Sequence, residues 1–158
     1  MQEQERFMKE ALKEAKKAYG KLEVPVGAVI VKNGKIIARG YNQKETKKDT
    51  IKHAEIIAIE KASKKLDSWR LNDCEMYVTL EPCPMCAGAI INSRIKKIYI
   101  GTLDEKTGAV GSVLDLFSDY TFNHKVEVEK GIMQKDCEKI LKDFFKVLRK
   151  IKKENKNK

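Results

Sequence analysis

Thr79-Leu80-Glu81-Pro82-Cys83-Pro84-Met85-Cys86 joins the end of an apolar run to a proline-led segment. Met76 to Leu80 reads as a short buried strand, and Pro84 suits the first position of a helix reaching about Ser93. Cys83 and Cys86 then share the first turn of that helix, where two thiolates can grip one metal ion. Roughly thirty residues upstream stands His53-Ala54-Glu55. Behind it Ile56, Ile57, Ile59, Ala62 and Leu66 recur on one face, predicting a helix from about His53 to Lys65. Two helix N-termini, one bearing His53 and the other the cysteines, are therefore expected to meet, and their partial positive charge favours thiolate ligands.

Three ligands leave a zinc ion one short of a closed tetrahedron. Structural zinc is held by four protein ligands, whereas catalytic zinc keeps a position for water or substrate. Glu55 lies two residues beyond His53, close enough to reach that water without being a ligand. Zinc lowers the pKa of bound water to roughly 7, and a neighbouring carboxylate can take the proton and later pass it to a leaving group. Together these features describe a hydrolytic site. A closed zinc knuckle would need Cys74, Cys137 or His124 as fourth ligand. A redox dithiol would leave His53 and Glu55 without a role, and Glu55 as a mere helix-start carboxylate would leave its register with His53 unexplained.

Working outward, Phe7, Met8, Ala11, Leu12, Ala15, Ala18 and Tyr19 recur at three and four, predicting a helix over 6–19 that Gly20 ends. Val24 to Val31 and Lys35 to Tyr41 flank Asn33-Gly34, a strong hairpin turn. Gln43 to Ile51 is polar and reads as a loop that delivers the chain to His53. Ile95 to Ile100 is a further β-branched strand, Thr102 to Gly111 a loop, Leu114 to Phe117 a short helical turn, and Val126 to Glu129 an edge strand. Cys137, Leu141, Phe144, Leu148 and Ile151 form the apolar stripe of a C-terminal helix, expected to pack into the core. This order predicts an α/β protein: a three-layer α/β/α sandwich with a central mixed β-sheet. Residues 1–151 are expected to form one domain, and residues 152–158 a frayed basic C-terminal tail.

The formal net charge is +10, and residues 135–158 hold ten basic against four acidic side chains. Such a surplus suits a polyanion such as RNA, and equally a solubilising tail. The first ten residues are charged and show no apolar signal region, and the four cysteines fit a reducing compartment, so a cytoplasmic protein is expected. The longest nearly apolar run, Val24 to Val31, is far short of a membrane span.

His53-Ala54-Glu55 and Pro82-Cys83-Pro84-Met85-Cys86 fit the H-x-E…P-C-x-x-C signature established for zinc nucleobase deaminases. Beyond it, Glu23 to Val29, Tyr77 to Cys83, Met85 to Ala89, Thr107-Gly108-Ala109, Phe122-Asn123-His124 and Asp143-Phe144-Phe145 make the chain resemble the TadA family of bacterial tRNA-specific adenosine deaminases, in the cytidine deaminase-like superfamily. The resemblance spans nearly the full length. It implies zinc-dependent hydrolytic deamination of adenosine to inosine at the wobble position of tRNA anticodons. It further implies one Zn2+ per subunit on His53, Cys83 and Cys86, with Glu55 as proton shuttle and a homodimer that binds the anticodon stem-loop. Asn42 would hydrogen-bond the base, Ala54 would line the pocket through its backbone, and Asp104 would lie near the backbone of neighbouring nucleotides. Phe144, Phe145 and Arg149 are candidate RNA contacts, the phenylalanines equally candidate packing residues. The chain departs from the family pattern at Asp49-Thr50-Ile51-Lys52, where Asp-Pro-Thr-Ala is usual. A small-molecule guanine or cytosine deaminase of the same superfamily, and a non-catalytic zinc-stabilised RNA-binding module, are the competing readings.

Overall fold

A computed structural model of the chain describes residues 2–118 and 123–157. Helix α1 (Gln2–Gly20) buries Phe7, Met8, Ala11, Leu12, Ala15 and Ala18 on the face its sequence predicts. Strands β1 (Gly27–Lys32) and β2 (Lys35–Tyr41) pair as an antiparallel hairpin. Its turn residues Asn33 and Gly34 both take positive φ, 52° and 74°. That is the twist a two-residue hairpin needs and the reason for an Asn-Gly pair there.

The one-turn helix α2 (Lys44–Lys47) leads to α3 (Ala54–Leu66), followed by β3 (Cys74–Leu80), α4 (Pro84–Asn92), β4 (Lys97–Thr102), β5 (Glu127–Lys130) and α5 (Gln134–Lys156). The sheet runs β2-β1-β3-β4-β5. β3 is antiparallel to β1, while β3, β4 and β5 are mutually parallel, with α4 forming the crossover that a parallel pair requires.

Alternation along the strands divides the core in two. On one face Ala28, Ile30, Met76, Val78, Ile98 and Ile100 pack with Ala54, Ala58, Ala62, Ala87, Ile90 and Ile91 of α3 and α4. On the other, Val29, Val31, Tyr77 and Tyr99 meet Phe7, Met8, Ala11 and Leu12 of α1 and Cys137 of α5. Tyr77 stacks on Tyr99 with ring centroids 4.3 Å apart. The expected three-layer α/β/α sandwich with a mixed sheet is the observed architecture.

Several local expectations shift. The 43–51 segment contains α2 rather than loop alone. Leu114 to Phe117 is not helical: Val110 and Asp115 form an isolated antiparallel bridge, with Gly111 at a φ of 125°. α5 continues through Lys156, so residues 152–156 are helical rather than frayed. Of the stripe on α5, Cys137 and Phe144 are buried, whereas Leu141, Leu148 and Ile151 are only half-buried. No described helix is long and apolar enough to cross a membrane.

The alanine-rich contact between α3 and β2 sets the depth at which the site sits. A Cβ at Gly40 would collide with the carbonyl oxygen of Ala54 and come within 2.9 Å of the amide nitrogen of Ala58. Both obstacles are backbone, so nothing can rotate away. Gly40→Ala is expected to displace the start of α3 and to cost about 1–3 kcal/mol, as overpacking does. Urea unfolding would show the lowered midpoint, and an unchanged midpoint would refute the close contact.

Candidate active site

β3 carries the chain to Leu80, and Glu81-Pro82 turn it into α4, with Pro84 in the first turn. Cys83 takes the N-cap position of α4 with extended backbone, φ −75° and ψ 173°, and His53 takes that of α3 with φ −78° and ψ 155°. Neither side chain caps its helix. N-cap positions usually hold Ser, Thr, Asp or Asn, whose side chain satisfies a free backbone N–H. Here both N-cap side chains turn to each other instead.

His53 Nδ1 lies 3.7 Å from Cys83 Sγ and 3.6 Å from Cys86 Sγ. All three donor atoms fall within 4.8 Å of one another. A tetrahedral zinc with Zn–S of about 2.3 Å and Zn–N of about 2.0–2.1 Å places N and S ligand atoms about 3.6 Å apart, so the donor set fits that ion in both chemistry and spacing. Cys74 and Cys137 are buried elsewhere as free thiols. The His124 ring nitrogen Nε2 sits 2.6 Å from the carbonyl oxygen of Ile95, a structural role outside the cluster. Among the described residues the group has three donors, which leaves a position open.

The hydrogen bond from Cys86 holds Cys83 as a thiolate, down to about 4, and the same interaction pushes the Cys86 thiol up. His53 is raised chiefly by its hydrogen bond to Cys83. A divalent cation would take the place of these protons. Glu55, in the first turn of α3, is 4% exposed, and burial pushes its carboxyl up to about 7. A group of that acidity can both accept and release a proton near neutrality.

His53, Cys83 and Glu55 line a cavity of about 190 Å³ with apolar walls from Val24, Val26 and Leu80. Pockets that bury drug-sized ligands measure roughly 300–1,000 Å³, so this volume suits one flat heterocycle rather than a whole nucleotide. Asn42 lines it with a fixed amide: Nδ2 donates to the Val24 carbonyl at 3.2 Å, and Oδ1 accepts from the Lys44 amide at 3.1 Å. Ala54 lines it at the helix start, ahead of the first intrahelical bond, which the Ile57 amide donates to His53. Asp104 also lines it, but its carboxylate is occupied by its own turn, accepting from the amides of Lys106 and Thr107 and from the Thr107 hydroxyl. The structure thus brings His53, Glu55, Cys83, Asn42, Ala54 and Asp104 to one cavity, with the buried Cys86 behind it completing the three-donor group.

The segment lacking the usual proline is organised by Asp49. Its carboxylate accepts from the Ile51 amide at 3.1 Å, its carbonyl accepts from the Lys52 amide, and the Gln43 amide donates to the Lys52 carbonyl. The Lys52 cation pairs with Glu60 on α3 at 3.3 Å.

Residues 2–149 match the model of the MafB19-like deaminase family. The tRNA-specific adenosine deaminase of Bacillus subtilis is 50% identical over 153 residues, covering 97% of this chain and 95% of the relative. The chain belongs to the tRNA-specific adenosine deaminase family. A solved structure from a study of A-to-I editing by tRNA:A34 deaminases at the wobble position of transfer RNA superposes with a TM-score of 0.83 and 43% identity. It covers 86% of this chain and 99% of that one. Guanine deaminase from Nitrosomonas europaea shares the fold, with a TM-score of 0.75 at 23% identity, covering 89% of this chain and 83% of that one.

Within the family's segments, two carboxylates had drawn no role from the sequence. Glu81, 2% exposed, and Glu23, fully buried, both accept hydrogen bonds from backbone amides of segments next to the cavity. Glu23 accepts from the amides of Glu45 at 3.0 Å and Thr46 at 2.5 Å, capping α2. The available signal was a carboxylate beside an apolar run, since such a group is rarely buried without partners. Phe144 is buried and meets Tyr19 edge-on at 5.6 Å, which makes it a packing residue, while Phe145 remains exposed. Phe122, in one of the segments that resemble the family, lies outside the described residues.

Proposed function

We propose that this chain hydrolyses adenosine to inosine at the wobble position of tRNA anticodons, with release of ammonia. The observation that carries the reading is the one-base cavity lined by His53, Cys83 and Glu55, with Cys86 completing the three-donor group, in a chain half identical to a tRNA-specific adenosine deaminase. When bound on the three ligands, zinc supplies a Lewis acid that makes water nucleophilic near neutral pH. Glu55 takes one proton from the attacking water and gives it to the adenine ring nitrogen as C6 is attacked, then takes the second proton from the hydroxyl now on C6 and delivers it to the departing amine as the C–N bond breaks. Asn42 fixes the base edge, and Val24, Val26 and Leu80 enclose its faces and keep bulk water out.

A base can fill this cavity only after leaving its stack, which favours a loop nucleotide over a paired one. A groove of about 600 Å³ shares Val24, Leu80, Asp104 and Thr107 with the cavity and continues past Lys106 to Lys142 and Phe145. Its exposed Phe145 and its lysines suit a neighbouring base and its phosphate. The net charge of +10 supports RNA binding in the same way. The proposal includes a cytoplasmic homodimer with one zinc per subunit, residues 1–151 as its deaminase domain and residues 152–158 as a basic end.

The test uses zinc-loaded protein and two anticodon stem-loops, one with A at the wobble position and one with that A moved by a single nucleotide. Inosine, read by mass, is expected only in the first. Ammonia from free guanine or cytosine with both RNAs untouched would move the substrate to small molecules.

A further inference from the structure

Glu81 stands one residue past the end of β3 and two before Cys83, yet its carboxylate serves a loop rather than a cation. Oε1 accepts from the Asp104 amide at 3.0 Å and from the Ser112 hydroxyl. Oε2 accepts from the Val110 amide at 2.9 Å and the Ser112 amide at 3.1 Å. The loop wraps around this one group: the Gly108 amide donates to the Asp104 carbonyl, the Ala109 amide to the Pro82 carbonyl, and the Val113 amide to the Gly108 carbonyl. A Cβ at Gly108 would collide with the carboxylate of Glu81 itself, which explains the glycine in Thr107-Gly108-Ala109. Asp104 and Thr107, on the near side of the loop, face the cavity.

We propose that Glu81 is the positioning residue that pre-forms the Asp104–Ser112 wall of the base cavity, and that this wall governs how tightly substrate is held. The inference rests on the deaminase reading for its substrate, though not for its loop. His53, Glu55, Cys83 and Cys86 are fixed by α3 and α4, so losing the wall affects binding more than chemistry. A preformed wall lowers the ordering cost at the moment of binding.

Glu81→Gln keeps the shape and replaces one acceptor oxygen with an N–H2 that faces backbone N–H groups, leaving buried donors unpaired. Glu81→Asp keeps four-fold acceptance with a shorter reach. Amide hydrogen exchange of the zinc-loaded protein is expected to lose protection at Asp104, Val110 and Ser112 in Glu81→Gln, with α3 and α4 unchanged. With the wobble-A stem-loop, KM should rise about tenfold or more, while kcat stays within about threefold and zinc content is unchanged. Glu81→Asp should recover part of both the protection and the KM. Ser112→Ala, a milder change for the case in which Glu81→Gln does not fold, should raise KM about two- to threefold.

Zinc loss, a fall in kcat at constant KM, or wild-type protection in Glu81→Gln would each overturn the proposal. A wild-type protein that forms no inosine in any RNA would instead overturn the functional reading, while the exchange experiment would still decide whether Glu81 holds the loop.

Discussion

Glu55→Ala is expected to lower kcat for inosine formation by about 10²–10⁴-fold, the range that positioned acid–base groups contribute, with KM for the stem-loop nearly unchanged. Glu55 is 4% exposed and sits beside the His53/Cys83/Cys86 group without belonging to it. Its removal therefore takes away the proton carrier and spares the ligands. Zinc content measured by metal analysis should remain one per subunit. Thermal stability should hold or rise, because burial opposes the charged form of this carboxyl and an alanine removes that opposition. Single-turnover kinetics separate the step. A variant that keeps wild-type turnover would leave a zinc-stabilised RNA-binding module as the better reading, and one that loses zinc would make Glu55 a structural residue.

Cys86→Ala is expected to remove both activity and metal. Cys86 is fully buried at the start of α4, with its sulfur 3.6 Å from His53 Nδ1. Its loss leaves two donors, too few for tight binding. A metal present at a thousandfold its Kd stabilises the native state by about 4.1 kcal/mol. At about 2–4 °C per kcal/mol for a chain of this size, the variant should melt about 8–16 °C lower than zinc-loaded protein. Stripping wild-type protein with a chelator should reproduce that shift, and adding zinc back should reverse it only in the wild type. Equal melting temperatures with and without zinc would show that the three residues do not hold the ion.

The elements read correctly from sequence are those whose cause is local. Asn33-Gly34 makes its turn without help from elsewhere, α1 declares its buried face by spacing, and Cys83-Pro84-Met85-Cys86 places both sulfurs by helix geometry alone. Two of the elements that differ from expectation lie against carboxylates far away along the chain. α2 is capped by Glu23, roughly twenty residues upstream, and Leu114 to Phe117 fails to become helical while Glu81 occupies the amides of Val110 and Ser112. A window of neighbouring residues holds no trace of either partner. The convergence of His53, Cys83 and Cys86, with Glu55 beside them, was legible because two coupled motifs announce it. The engagement of the Asp104 carboxylate within its own turn appears only in three dimensions.

The strand order carries a consequence for how the chain is made. β1 lies between β2 and β3, but β3 begins roughly forty residues after β1 ends. The β1–β2 hairpin can close as soon as it leaves the ribosome. The other edge of β1, with buried-type residues Ala28 to Val31, then waits with unpaired amides and carbonyls. At about 5–20 residues per second the wait is about 2–8 s. For that interval the nascent chain presents an open apolar strand edge of the kind that recruits other strands. α1, already synthesised and packed on one face of β1, shields half of it, which leaves the α3 face and the bare edge as the part a chaperone would have to cover.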